Sequence, residues 1–135
     1  MAVALSERVR AFLREKRFAV LGTINADGSP HLTVMWYILE DDGIILMNTK
    51  AGRVKDRHMR RDPRVSVCVS DGYKFVTLSG NVEIIDDQAV AQRDIFRLST
   101  RYHGEEKAKL QMQHQFSRER RVTLRMKPEH IIEYF

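Results

Sequence analysis

Residues 21–69 read LGTINADGSPHLTVMWYILEDDGIILMNTKAGRVKDRHMRRDPRVSVCV, Leu21 to Val69. Apolar runs of strand length alternate here with short polar turns. Asp27–Gly28–Ser29–Pro30 is a strong turn signal between two such runs. Asp41–Asp42–Gly43 is a second. His31 to Leu39 is rich in β-branched and aromatic residues, as a returning strand should be. A third strand is expected over Ile44 to Thr49. Val65, Val67 and Val69 alternate with Ser66, Cys68 and Ser70, the period of a half-buried strand.

The connection from the third strand to the valine strand carries the charge. Lys50 to Arg64 holds seven Lys/Arg against two Asp, a local balance of +5 (7 − 2), equal to the net charge of the chain. Clustered charge of one sign favours an anionic partner. Arg offers a planar fork to phosphate oxygens and Lys a point charge. The segment reads as a short helix from about Arg53 to Arg61. It ends at Asp62–Pro63, because proline disfavours helix at the residue before it. Asn48 and Thr49 at the strand end, then Arg53 and Lys55 near a helix start, make a plausible cradle for a phosphate, since free backbone N–H groups point outward there. Val34–Met35–Trp36, on the partner strand of the hairpin, could line an apolar slot for a ring system.

Outside this stretch, Ser6 can cap a helix through Lys16, with Leu5, Val9, Phe12 and Leu13 on one face. Phe18 to Ile24 reads as a strand. Phe75 to Ile85 is a long strand with a bulge or a close-approach point expected at Gly80. Asp86 or Asp87 caps a helix through about Tyr102, with Val90, Ile95, Phe96 and Leu98 available for burial. Glu105 to Phe116 is a weaker helix. Val122 to Met126 and Ile131 to Phe135 are expected as two strands around Pro128. Six or seven strands joined mostly by hairpins imply one domain over residues 1–135, mainly β, in a closed or nearly closed antiparallel barrel with peripheral helices.

Several chemistries find no support. One cysteine among 135 residues, Cys68, excludes an internal disulfide and fits a reducing cytoplasm. It lies among alternating valines, where packing is its expected role. His31, His58, His103, His114 and His130 are scattered without metal-ligand spacing, so no metal is expected. There is no nucleophile elbow, Walker loop or dinucleotide fingerprint. No run approaches the roughly 20 apolar residues of a membrane span, and the N-terminus lacks a signal-peptide core. A nucleic-acid role would need several exposed aromatics on one face. Trp36, Tyr37, Tyr73 and Phe75 are the only candidates near the basic helix.

The order and spacing of Asp27–Gly28–Ser29–Pro30, Arg53–Val54–Lys55 and Arg60–Arg61–Asp62–Pro63–Arg64 resemble those of the pyridoxamine 5′-phosphate oxidase-like split barrels, which bind flavins and deazaflavins. Leu78 to Glu83 and Arg120–Arg121–Val122 resemble later strands of that family. The resemblance implies a six-stranded antiparallel split β-barrel. It implies a homodimer with two cofactor sites at the interface, and FMN or coenzyme F420 as cofactor. By position Arg53 and Lys55 match the phosphate-binding R-x-K, with Asn48, Thr49 and Lys50 beside it. Val34, Met35 and Trp36 match the strand along the ring, and Tyr73, Lys74 and Phe75 a segment approaching from the partner subunit. The short chain and R-R-D-P-R run look most like the F420-dependent branch. The arginine-rich motif closing the true oxidases is missing after Phe135, which argues away from pyridoxal phosphate synthesis. Arg57, Arg60 and Arg61 would extend the positive surface toward an anionic cofactor tail. The implied activity is oxidoreduction of a small organic substrate, with His31, Tyr37 and Tyr73 as candidate proton donors. An FMN-binding relative without oxidase activity and a nucleic-acid-binding barrel are the alternatives.

Overall fold

In a computed structural model that describes residues 3–135, the chain forms one seven-stranded antiparallel sheet with helices outside it. The first helix, α1 (Glu7–Arg14), is capped by Ser6, whose hydroxyl accepts the Val9 N–H. It buries Val9, Phe12 and Leu13, with Leu5 beside them. Strands β1 (Ala19–Ile24) and β2 (Pro30–Met35) make the first hairpin, in register from Ala19 opposite Met35 to Ile24 opposite Pro30. Then come β3 (Ile38–Leu39), β4 (Ile45–Lys50), α2 (Val54–Arg61), β5 (Arg64–Asp71) and β6 (Lys74–Ile85). Two helices, α3 (Gln88–His103) and α4 (Glu105–His114), and a 3-10 turn at Phe116–Arg118 precede β7 (Arg121–Tyr134).

The strand order is β2-β1-β5-β6-β7-β4-β3. Its two ends are consecutive pieces of one chain segment, so the sheet curls back on itself and the segment 30–39 closes the curl. Seven strands result, where the residues suggested six or seven and the family resemblance six. The expected single strand from His31 to Leu39 breaks at Trp36–Tyr37, its first half pairing with β1 and its second with β4. At the break the Tyr37 N–H leaves the ladder and donates to the Tyr102 hydroxyl of α3 at 3.2 Å. That hydroxyl donates to the Arg17 carbonyl at 2.5 Å.

A second correction concerns the C-terminus, where two expected strands are one. Pro128 does not interrupt β7, because it sits opposite Gly80, where the β6–β7 register shifts. Any Cβ at Gly80 would lie 2.3 Å from the Lys127 carbonyl oxygen, so the bulge there requires glycine.

Inside the curl, Leu21, Ile45, Met47, Val67, Leu78, Leu124 and Met126 form the core with α1. A smaller cluster, Ile95, Leu98 and Phe116 with Trp36, packs α3 against the outside of the barrel. Of the helix residues expected to be buried, Ile95 and Leu98 are, whereas Val90 and Phe96 are only half-buried. From Ile45 to Thr49, β4 is buried on both faces. One face meets the core and the other meets α3, where the Asn48 side-chain N–H donates to the Ala91 carbonyl. No helix is long and apolar enough to cross a membrane among the described residues.

Candidate functional site

The end of β4 runs through Ala51–Gly52 directly into α2, and this junction builds the site. Gly52 takes a left-handed φ of 86°. Its N–H donates to the Asp56 carboxylate at 2.7 Å, a reach back from the first helical turn that fixes the entry angle as a capping box does. Arg53 is the N-cap and contributes no side-chain cap. Its guanidinium is left exposed beside the unpaired N–H groups of the first turn.

Between this junction and α3 lies a cleft of about 260 Å³. Its polar end is Asn48, Thr49, Arg53, Lys55 and Arg121, and its apolar end includes Met35, Trp36, Leu98 and Phe116. Val34 stands at the rim. Seven residues singled out in the sequence, Val34, Met35, Trp36, Asn48, Thr49, Arg53 and Lys55, are thus brought together. Three others do not line this cleft. Lys50 points outward, 3.9 Å from the Glu119 carboxylate. Tyr73 stands at the tip of the β5–β6 hairpin, 92% exposed. Phe75 stacks on Tyr134 across β6 and β7.

Lys55 is the unusual group. It is 7% exposed, and among the described residues no carboxylate lies within ion-pair reach of it. Its ammonium is pushed below the usual lysine range by burial, and further by Arg53 and Arg121. A buried unpaired cation is costly, so the arrangement suits an anion supplied from outside.

Arg121 is the contributor that local sequence reading did not single out. It is buried at the start of β7. Its Nε donates to Asn48 Oδ1 at 2.9 Å and its Nη1 to Glu119 at 2.8 Å. The Asn48 amide is therefore engaged on both atoms, and its part is to hold Arg121 rather than a ligand. Sheet register makes this meeting: Lys50 lies opposite Arg121 and Asn48 opposite Thr123.

Outside the cleft, and sharing Thr33, Arg53 and Lys55 with it, runs a more open groove of about 510 Å³. His31, Leu32, Gly52, Val54 and Arg57 complete its lining. Only Arg57 of the three arginines expected to extend the positive surface reaches this groove. Arg60 is engaged with Asp86 at 2.6 Å and with Asp56 at 2.9 Å, and Arg61 donates to the Ile24 carbonyl. Behind the groove, His58 meets the Thr23 hydroxyl at 3.0 Å and its ring lies 5.2 Å from that of His31.

The candidate proton donors stand apart. Tyr37 is fully buried and donates to the Leu13 carbonyl at 2.7 Å. Burial pushes its hydroxyl up to about 12, so it does not serve the cleft. The aromatics near the basic helix share no stacking face, since Trp36 packs on Tyr102 and Phe116. Among the described residues no group of three His, Cys, Asp or Glu could hold a metal ion.

Comparison with known proteins places this geometry. The family profile for pyridoxamine 5′-phosphate oxidase matches residues 5–135. A conserved hypothetical protein of Mycobacterium tuberculosis superposes with a TM-score of 0.80 at 32% identity, over 98% of this chain and 86% of that one. A protein described as an F420 reductase gives 0.74 at 24% identity, over 95% and 98%. The haem storage protein of Vibrio cholerae gives 0.70 at 17%, over 97% and 95%. The last two are similar in fold alone.

Proposed function

This chain belongs to the pyridoxamine 5′-phosphate oxidase family, and we propose on that footing that it is an oxidoreductase acting on a small organic substrate with coenzyme F420, FMN being the weaker-held alternative. The observation that carries the reading is Lys55, a buried ammonium beside Arg53 and Arg121 with no counter-ion among the described residues. Those donors fit a phosphate, by fork and by point charge. A phosphate there also meets the N-terminal end of α2.

The cofactor, when bound, supplies hydride transfer, and the protein supplies its placement. Arg53 and Lys55 hold the phosphate. Asn48 and Glu119 fix the Arg121 guanidinium behind it. Met35, Trp36 and Phe116 give the cleft an apolar wall that excludes water. Within one chain no tyrosine lines the cleft and His31 faces the outer groove, so a substrate proton comes from solvent or from Tyr73 of a second copy.

The preference for coenzyme F420 rests on the outer groove. The phosphate locus at Arg53 and Lys55 opens both ways, and a cofactor whose anionic tail continues past its phosphate fills cleft and groove together. FMN ends at its phosphate and leaves the groove at His31 and Arg57 unfilled.

The reading includes a second copy of the chain. A cleft of about 260 Å³ is smaller than the roughly 300–1,000 Å³ usual for small-molecule sites. Val34 joins its rim to an exposed apolar strip with Leu32. A copy covering that strip would complete the site, and its Tyr73–Phe75 segment is the contribution the family resemblance suggests.

Fluorescence titration with coenzyme F420 and with FMN tests the proposal. Coenzyme F420 should bind more than about tenfold tighter, a difference of about 1.4 kcal/mol. Arg57→Glu should weaken coenzyme F420 by a similar factor and leave FMN unchanged. Equal weakening of both removes the tail assignment, and binding of neither removes the function.

A further inference from the structure

We propose that Lys55 is a carbonyl-reactive amine, the site at which a small phosphorylated aldehyde condenses with this protein. Of the lysines, only Lys55 is buried. Lys16, Lys50, Lys74, Lys107, Lys109 and Lys127 are all exposed. Exposed ammonium groups are well hydrated and escape the cost of desolvation.

Every charged group around Lys55 disfavours its proton or is spent elsewhere. Arg53, the N-cap, stands two residues back on the same junction, and Arg121 faces it from β7. The Glu119 carboxylate is taken by Arg121 Nη1 at 2.8 Å. Asp56, the next residue of α2, accepts from the Gly52 N–H and from Arg60. β4 presents only the neutral Asn48 and Thr49 to the cleft. Burial is the largest cause that lowers the amine, ahead of the two guanidinium groups. Desolvation beside other cations is how a lysine becomes a nucleophile.

The same cations select the electrophile. Among the described residues the Arg53 side chain makes no hydrogen bond, and it does not cap α2. Arg121 uses Nε and Nη1 on Asn48 and Glu119, leaving Nη2 without a hydrogen-bond partner among the described residues. A phosphate resting on those two guanidinium edges brings a nearby aldehyde carbon to the amine, converting a bimolecular encounter into a directed one. The Lys55 nitrogen lone pair forms the C–N bond and the carbonyl oxygen takes up a proton. The carbinolamine then loses hydroxide as water, the nitrogen giving up its protons. Amine plus aldehyde become imine plus water, with no change of oxidation state. The adduct fills the place proposed for the cofactor phosphate, so the two exclude each other.

This inference rests on the cleft geometry and not on which cofactor binds. Glyceraldehyde 3-phosphate, added to the cofactor-free full chain at pH 7.5 and trapped with cyanoborohydride, is the probe, read by peptide mass mapping over time. Lys55 should be labelled more than about tenfold faster than any exposed lysine, through proximity and amine state together. Inorganic phosphate should slow that labelling, unphosphorylated glyceraldehyde should lose the preference, and Lys55→Arg should abolish the fast adduct. Labelling spread over the exposed lysines, with Lys55 no faster, overturns the proposal. So does equal labelling of Lys55 by glyceraldehyde and its phosphate ester. Failure of coenzyme F420 and FMN to bind would strike the proposed function while leaving this result standing.

Discussion

Lys55 and His58 lie one turn apart on α2 and meet burial differently. Lys55 borders the cleft, where an entering anion can offset its charge. His58 faces β1, where its partner is the neutral Thr23 hydroxyl. Burial holds the His58 ring below the usual histidine range, and His31, Arg61 and Arg57 add to the effect. The folded chain therefore resists this proton more than the unfolded chain does. Stability is complete above the unfolded value of about 6.5 and declines as the pH falls from there toward the folded value. His58→Gln keeps a polar group at Thr23 and removes the titration. Urea midpoints taken between pH 7.5 and 5 should fall in the wild type and flatten in the variant. The same slope in both would assign the pH dependence to other groups.

The elements differ in how far they can be read from local sequence. The β4–α2 junction is legible, because Asn48–Thr49, Gly52 and the proline after Asp62 mark a strand end, a left-handed turn and a helix stop within fifteen residues or so. The proposed phosphate-holding residues, Arg53 and Lys55, lie at this junction. Arg121 is not legible in that way. It lies 73 positions from Asn48, and only the β4–β7 register joins them. The break at Trp36–Tyr37 is hidden for a similar reason, since its cause is Tyr102, 65 positions away. Pro128 misleads, because a proline inside a strand is tolerated at a bulge, and the bulge partner is Gly80 on another strand. That contact gives an expectation for the element pair. Gly80→Ala would drive a methyl group into the Lys127 carbonyl, 2.3 Å away. The variant should lose about 1–3 kcal/mol in denaturant titration, the range for overpacking. Replacement without loss would mean that the β6–β7 register moves freely at this point.

Across the whole molecule, the closing of the curl by residues 30–39 puts the cleft and the exposed apolar strip on the same chain segment. Met35 is buried at the cleft, while Leu32 and Val34 are 67% and 65% exposed. Exposed apolar patches of this kind commonly mark an interface. The pair Leu32→Glu and Val34→Glu should convert a dimer to a monomer in light scattering and weaken cofactor binding with it. A wild-type monomer that binds cofactor fully would show that one chain suffices. The basic run also reads differently at this scale, because Arg60 and Arg61 are absorbed by Asp86, Asp56 and the Ile24 carbonyl. What remains for an outside anion is Arg53, Lys55, the edge of Arg121 not used on Asn48 and Glu119, and the part of the Arg57 guanidinium not used on the Gly52 carbonyl. The most direct measurement is therefore the affinity for coenzyme F420, by fluorescence titration, of the wild type against Lys55→Met. The substitution removes the buried charge and keeps an unbranched side chain of similar length. Affinity should fall by about a hundredfold, or about 2.8 kcal/mol, with the folded state made no less stable. Unchanged affinity in Lys55→Met would contradict a phosphate held at this place.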